Sequence, residues 1–197
     1  MKILIRIAYV LALVAAFCGV PQHLHAQNRV ALKTNLLYDA TVTVNGGVEI
    51  GLGNKFSLDI SGNYNGWILS EGKRWKHWMV QPEFRYWLCE RFGGHFFGIH
   101  ALGGPWNFGF LPNSLNFLGS DFSVLSNARY EGWGVGAGVA YGYAVVLGKH
   151  WNLELEAGAG YIYNQWRGCT ECGKDGTWSP HNYFGPTKLA VSLVYIF

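Results

Sequence analysis

Between Gln81 and Gly104 the chain reads QPEFRYWLCERFGGHFFGIHALGG, with apolar and polar residues alternating on both sides of Cys89-Glu90-Arg91-Phe92-Gly93-Gly94. Approaching that turn, Trp78, Val80, Pro82, Phe84 and Tyr86 share one parity, while Met79, Gln81, Glu83, Arg85 and Trp87 share the other. Leaving it, Phe97, Ile99 and Ala101 alternate with Gly98, His100 and Leu102. A period of two puts each set on its own face of an extended strand. The result is a β-hairpin wide enough to cross a membrane, with one face suited to lipid and the other not.

The rest of the chain reads as further copies of this unit. Strands are predicted at approximately Val30–Tyr38, Asn45–Leu52, Phe56–Asn65, Lys76–Trp87, His95–Trp106, Arg129–Leu147, Trp151–Trp166 and Thr187–Phe197. Eight is an even number, as a closed single-chain barrel requires. The connections alternate: Gly53-Asn54-Lys55, Cys89–Gly94 and Gly148-Lys149-His150 are tight, whereas Gly66–Trp75, Asn107–Ala128 and Arg167–Pro186 are long. Short periplasmic turns and long outer loops mark a transmembrane barrel.

An internal repeat supports the register. LGNKFSLDISGNYN (Leu52–Asn65) and LGKHWNLELEAGAGY (Leu147–Tyr161) each place a tight basic turn before an aromatic, then alternate apolar with acidic residues. Trp151 to Tyr161 spans roughly 33 Å of strand, which at a tilt of about 40° covers an apolar band of roughly 25 Å. The aromatics at its two ends fall where interfacial girdles belong. The last strand, KLAVSLVYIF, puts Leu193, Tyr195 and the terminal Phe197 on one face. That ending resembles the signal by which the outer-membrane insertion machinery recognises its clients. The fold class is therefore all-β, an eight-stranded antiparallel transmembrane barrel of outer-membrane type.

The N-terminus has a different pattern: Lys2 and Arg6, the apolar run Ile7–Val20, then Pro21 and Leu24-His25-Ala26. This is the layout of a secretory signal peptide cleaved after Ala26, leaving a single domain from Gln27 to Phe197. Loss of Lys2 and Arg6 lowers the formal charge from +3 to +1, too little to gather nucleic acid. The 27 glycines, 9 tryptophans, 11 tyrosines and 12 phenylalanines suit an exported barrel with aromatic belts. Three cysteines follow the cleavage site, Cys89, Cys169 and Cys172. The odd count leaves one unpaired, most simply Cys89. Cys169-Thr-Glu-Cys172 is read as a loop-bracing disulfide. Zinc would want a second ligand pair, and a redox thiol would want a helix N-terminus.

By parity the interior collects Lys33, Asn35, Glu49, Asp59, Gln81, Glu83, Arg85, His100, Glu154, Glu156 and Lys188. Ion conduction or acid–base work by Glu154 and Glu156 is one reading. A salt-bridged plug is the preferred one, because an eight-stranded interior is just wide enough for side chains to fill. Gly134, Gly136, Gly138 and Gly142 are expected to make room for bulky neighbours such as Arg85 or Trp87. Loop residues Ser70, Glu71 and His77, and Asp175, Ser179 and His181, are the candidates for catalysis, but no nucleophile–base motif surrounds them. Lys73, Arg74 and Lys76 form a basic cluster suited to lipopolysaccharide phosphates. The apolar content of Asn107–Ala128 marks that connection as a functional loop or a cap on its own barrel.

With LKTNLLYDA (Leu32–Ala40) before it and WNLELEAGAGY (Trp151–Tyr161) after it, the central hairpin resembles the outer-membrane β-barrel family catalogued as domain of unknown function 3575. The resemblance implies an outer-membrane barrel, often encoded near fimbrial or surface-protein genes, and carries no catalytic residues or cofactor. The expected function is non-enzymatic: a structural, surface-interaction or fimbria-associated role in the outer membrane of a Gram-negative bacterium. A narrow channel and a lipid-modifying enzyme are the alternatives. Expected partners are outer-membrane lipid and lipopolysaccharide, the barrel-insertion machinery, and fimbrial or other surface proteins.

Overall fold

The structure, a computed structural model, describes residues 30–67, 74–109, 116–117, 120–121, 129–169 and 176–197. It contains β1 (Val30–Asn35), α1 (Leu36–Ala40), β2 (Val44–Gly51), β3 (Phe56–Asn65), β4 (Arg74–Trp87) and β5 (Gly94–Gly109). A two-strand ribbon follows, β6 (Asn116–Phe117) with β7 (Ser120–Asp121), then β8 (Arg129–Val146), β9 (Trp151–Cys169) and β10 (Ser179–Ile196). Eight antiparallel strands form one closed ring in the order β1-β10-β9-β8-β5-β4-β3-β2. β1 pairs with β2 on one side and with β10 on the other, so the eight-stranded ring itself has no free edge to recruit another chain. The three tight turns and both ends of the ring, Val30 and Phe197, lie at one end, where the Phe197 N–H donates to Val30 O at 3.0 Å.

The alternation seen in the sequence is the alternation of environment. In β3, Phe56, Ile60 and Tyr64 are exposed while Ser57, Asp59 and Asn63 are buried. β4 repeats this, with Trp78, Val80, Phe84 and Tyr86 facing out and Gln81, Glu83, Arg85 and Trp87 facing in. Aromatics pair across strands on the outer face near the tight turns, as in Phe56–Tyr86 at 5.3 Å and Trp151–Tyr195 at 4.9 Å. Among the described residues no helix is long and apolar enough to cross a membrane.

Four local expectations need correction. The first strand ends at Asn35 rather than continuing to Tyr38, because the Asn35 side chain accepts from Leu37 N–H at 3.1 Å and starts α1 instead. The last strand begins at Ser179 rather than Thr187. A bulge between Pro186 and Lys188 resets the alternation, so one period of two does not run through the whole strand. The inward glycines of β8 do make room for bulky side chains, but those are Phe96 and His100 rather than Arg85 and Trp87: a Cβ on Gly142 would overlap the Phe96 ring, and one on Gly138 would lie 2.8 Å from His100 Nε2. Finally, Cys89 is not a free thiol but is disulfide-bonded. Counting cysteines along the chain does not fix which thiols meet in space. Cys89 sits at the tight-turn end, while Cys169 pairs with Arg129 at the opposite end. Cys172 and the side chain of Cys169 lie outside what the structure describes.

Candidate functional site

The interior is built in layers, and the alternating strands decide what each layer receives. At the tight-turn end, Ala31, Trp87, Phe92, Phe96, Ala144, Val194 and Ile196 form a buried apolar plug. Trp87 and Phe96 face inward by parity, their rings 4.6 Å apart. Phe92 comes from the turn itself, where its backbone takes a left-handed φ of 64°. Such a conformation is costly for a residue with a Cβ, on the order of 1 kcal/mol or more. Burial of the ring 6.1 Å from Trp87 and donation by Asn152 Nδ2 to Phe92 O hold it there.

Above the plug lies a charged layer centred on Arg85, one of the most deeply buried side chains of the protein. The guanidinium rests 4.4 Å above the Phe96 ring and reaches every acid of the layer. Nη1 donates to Glu49 Oε2 at 2.8 Å and Glu154 Oε2 at 3.0 Å, Nη2 to Glu156 Oε2 at 2.8 Å, and Nε to Glu83 Oε1 at 2.6 Å. Asp59 Oδ2 stands 3.3 Å from Nη2. Lys33 bridges Glu49 at 2.5 Å and Glu154 at 3.0 Å, and Lys188 bridges Glu83 at 2.8 Å and Glu156 at 3.2 Å. The structure thus brings together all eight charged residues that parity had assigned to the interior: Lys33, Glu49, Asp59, Glu83, Arg85, Glu154, Glu156 and Lys188.

Most of these charges are hydrogen-bonded to an opposite charge, which offsets the cost of burying them, but five acids share three cations, and Asp59 Oδ1 and Glu154 Oε1 are buried without a hydrogen bond. The eight residues cross-link β1, β2, β3, β4, β9 and β10. The bulge in β10 lets two consecutive residues, Thr187 and Lys188, both point inward. Thr187 Oγ1 then lies 2.8 Å from His100 Nε2, and His100 Nδ1 lies 3.6 Å from Glu83 Oε2. The order hydroxyl–imidazole–carboxylate invites comparison with a nucleophile, its base and an orienting acid. The geometry argues against that role. The 3.6 Å separation is beyond hydrogen-bond length, and the Glu83 oxygen facing His100 is already held by Lys188. Sequence reasoning missed Phe92, Phe96 and the His100–Thr187 contact. Phe96 had a signal, since it shares its parity with the inward His100; Phe92 and Thr187 depend on turn and bulge geometry.

Toward the long-loop end the charged layer opens into a cavity of about 960 Å³, whose inward lining includes Asn45, Ser61, Asn63, His77, Gln81 and Thr187. The cavity also touches Val139, Ala157 and Leu189, which point outward, so only part of that volume lies inside the ring. Its rim carries Trp75 and Phe108, their rings 4.9 Å apart.

Of the loop residues considered for catalysis, His77 faces the interior 6.0 Å from Phe108. Ser179 and His181 sit in β10 opposite Trp166 and Asn164. Ser70, Glu71, Lys73 and Asp175 lie outside the described residues, as do the Arg74 side chain and most of Asn107–Ala128. Lys76 is on the outer face of β4. Leu193 and Tyr195 alternate with buried Ser192, Val194 and Ile196, and Tyr195 packs edge-on to Phe197 at 5.0 Å.

A family model described as a protein of unknown function (DUF3575) matches residues 9–197. No curated protein and no solved structure matches the chain.

Proposed function

We propose that this chain, which belongs to the DUF3575 family of proteins of unknown function, is a non-enzymatic outer-membrane β-barrel acting through its outer loops. The observation that carries the proposal is the inverted distribution of polarity. The outer wall of the ring exposes Ile99 at 67%, Val139 at 63% and Leu189 at 67%, while Glu49, Arg85 and Glu154 are shut inside. In water such a wall would be a large apolar patch of the kind that aggregates. In a bilayer it is the solvated surface, and a closed ring of strands leaves no backbone group unsatisfied in lipid.

The plugged interior favours a scaffold over a channel. Export by removal of residues 1–26, insertion guided by the Leu193–Tyr195–Phe197 ending, and residence in the outer membrane of a Gram-negative bacterium complete the reading. The partner is a fimbrial or other surface protein engaged by the outer loops. Two measurements test this. The native protein should fractionate with outer membranes and begin near Gln27. Shortening the loop at residues 110–128 should abolish capture of partners from intact membranes while the barrel still resists detergent. Recovery from the cytosol overturns the membrane reading, and unchanged partners after loop removal overturn the role given to that loop.

A further inference from the structure

The outer wall changes character at one step of the register. Tyr64 pairs with Trp78, and Pro105 pairs with Trp133. The pairs His77–Trp106 and Val80–Gly103 bring Trp78 beside Pro105, so these four residues form one outward row. The row nearer the tight turns is apolar, running Val80–Gly103–Val135–Tyr163. The row two residues nearer the loops runs Lys76–Asn107–Glu131–Arg167 and is charged. The aromatic row is therefore a shoreline between an apolar wall and a polar one, the place where amphipathic rings belong at a bilayer surface.

A shallow groove of about 360 Å³ lies on this line, within the range of small-ligand sites (~300–1,000 Å³). Its apolar wall is Tyr64, Trp78 and Trp133; Trp178 closes the other side under the Arg167 guanidinium, 4.8 Å from its ring. Counting the residues beside it, the charge of the described residues at this groove is lopsided. Arg167 donates to Glu131 at 2.6 and 2.9 Å, Arg129 stands 3.7 Å from the same carboxylate, and Lys76 has no ion-pair partner among the described residues. Among the described residues, the lining thus holds one cation and one acid, Lys76 and Glu131, and two further cations, Arg129 and Arg167, stand beside Glu131 just outside it.

We infer that this groove holds the phosphorylated sugar headgroup of an outer-leaflet glycolipid; the inference rests on the membrane reading above. A pyranose has an apolar C–H face that lies flat on an aromatic ring and a rim of hydroxyls that suits Asn107 and Glu131. A phosphate on that sugar matches the surplus positive charge, since guanidinium and ammonium donors make short charge-assisted bonds to its oxygens. Acyl chains leaving the sugar run down the apolar row through Val80, Val135 and Tyr163, which selects a lipid over a free sugar phosphate.

The full chain, purified in nanodiscs, is offered bisphosphorylated lipid A, phosphatidylglycerol or glucosamine 1-phosphate, and retained ligand is counted by native mass spectrometry. Lipid A should be retained at least about tenfold more strongly than the other two. Lys76→Glu combined with Arg129→Glu should lower its retention about tenfold or more, with the heat-dependent gel shift of the folded barrel unchanged. Trp133→Ala provides a second variant that leaves every charge in place and should also weaken lipid A. Equal retention of phosphatidylglycerol, equal binding of glucosamine 1-phosphate, or full lipid A retention in both variants overturns the inference. Failure of the wild-type chain to enter nanodiscs overturns the membrane reading itself, an outcome distinct from an inserted barrel that ignores lipid A.

Discussion

Arg85 is the side chain whose loss should cost the fold most. It contacts all five interior carboxylates and is itself only 1% exposed. At a separation of about 3 Å and an effective dielectric near 20, each contact has a gross attraction of about 5 kcal/mol. Desolvation offsets much of this, so the net effect follows what is found when one partner of a buried pair is removed, about 3–5 kcal/mol. Arg85→Met keeps the packing over Phe96 and deletes the charge, leaving five acids facing Lys33 and Lys188. Its unfolding midpoint in urea, followed by tryptophan fluorescence in detergent micelles, should fall by an amount equivalent to about 3–5 kcal/mol. Adding Glu49→Gln and Glu154→Gln removes two of the stranded charges and should recover about half of that loss. If Arg85→Met alone unfolds at the wild-type midpoint, the interior is hydrated and the argument from buried charge is wrong.

Three further outcomes follow from the packing. Gly142→Val drives side-chain atoms into the Phe96 ring and should lower stability by about 1–3 kcal/mol, read from the same urea curves. The intact barrel should give no steady conductance in planar bilayers, whereas Trp87→Ala with Phe96→Ala removes the apolar plug and should produce measurable ion steps if the plug is what closes the inner end. Phe197→Asp, at a ring packed on Tyr195, should sharply reduce barrel levels in the membrane fraction, given a cost of up to about 2–4 kcal/mol for charge on the lipid face.

The ring itself was legible because each strand keeps a period of two over most of its length. Parity alone assigned Lys33, Glu49, Asp59, Glu83, Arg85, Glu154, Glu156 and Lys188 to one compartment. What parity does not carry is height along the axis, so nothing in the alternation places Arg85 at the level of all five acids. Nor does it carry departures from the regular strand. Asn35 ends β1 through a side-chain bond to Leu37, and the bulge at Thr187 breaks the alternation that would have extended β10 back to Ser179. Phe92 was read as turn because its neighbours Gly93 and Gly94 are turn residues, and only the fold turns its ring inward.

The charged layer also acts as a check on assembly. Six strands each supply at least one charged side chain to it, and adjacent residues of a strand face opposite sides. A slip of one residue in any of those six would carry its charge to the outer wall and strand its former partners inside. Two errors would then be incurred for one shift, whereas an all-apolar interior of the same volume would tolerate many alignments. The ions thus favour the one alignment of strands in which all eight charges meet, and each one-residue slip away from it carries a cost beyond that of re-forming the ladder.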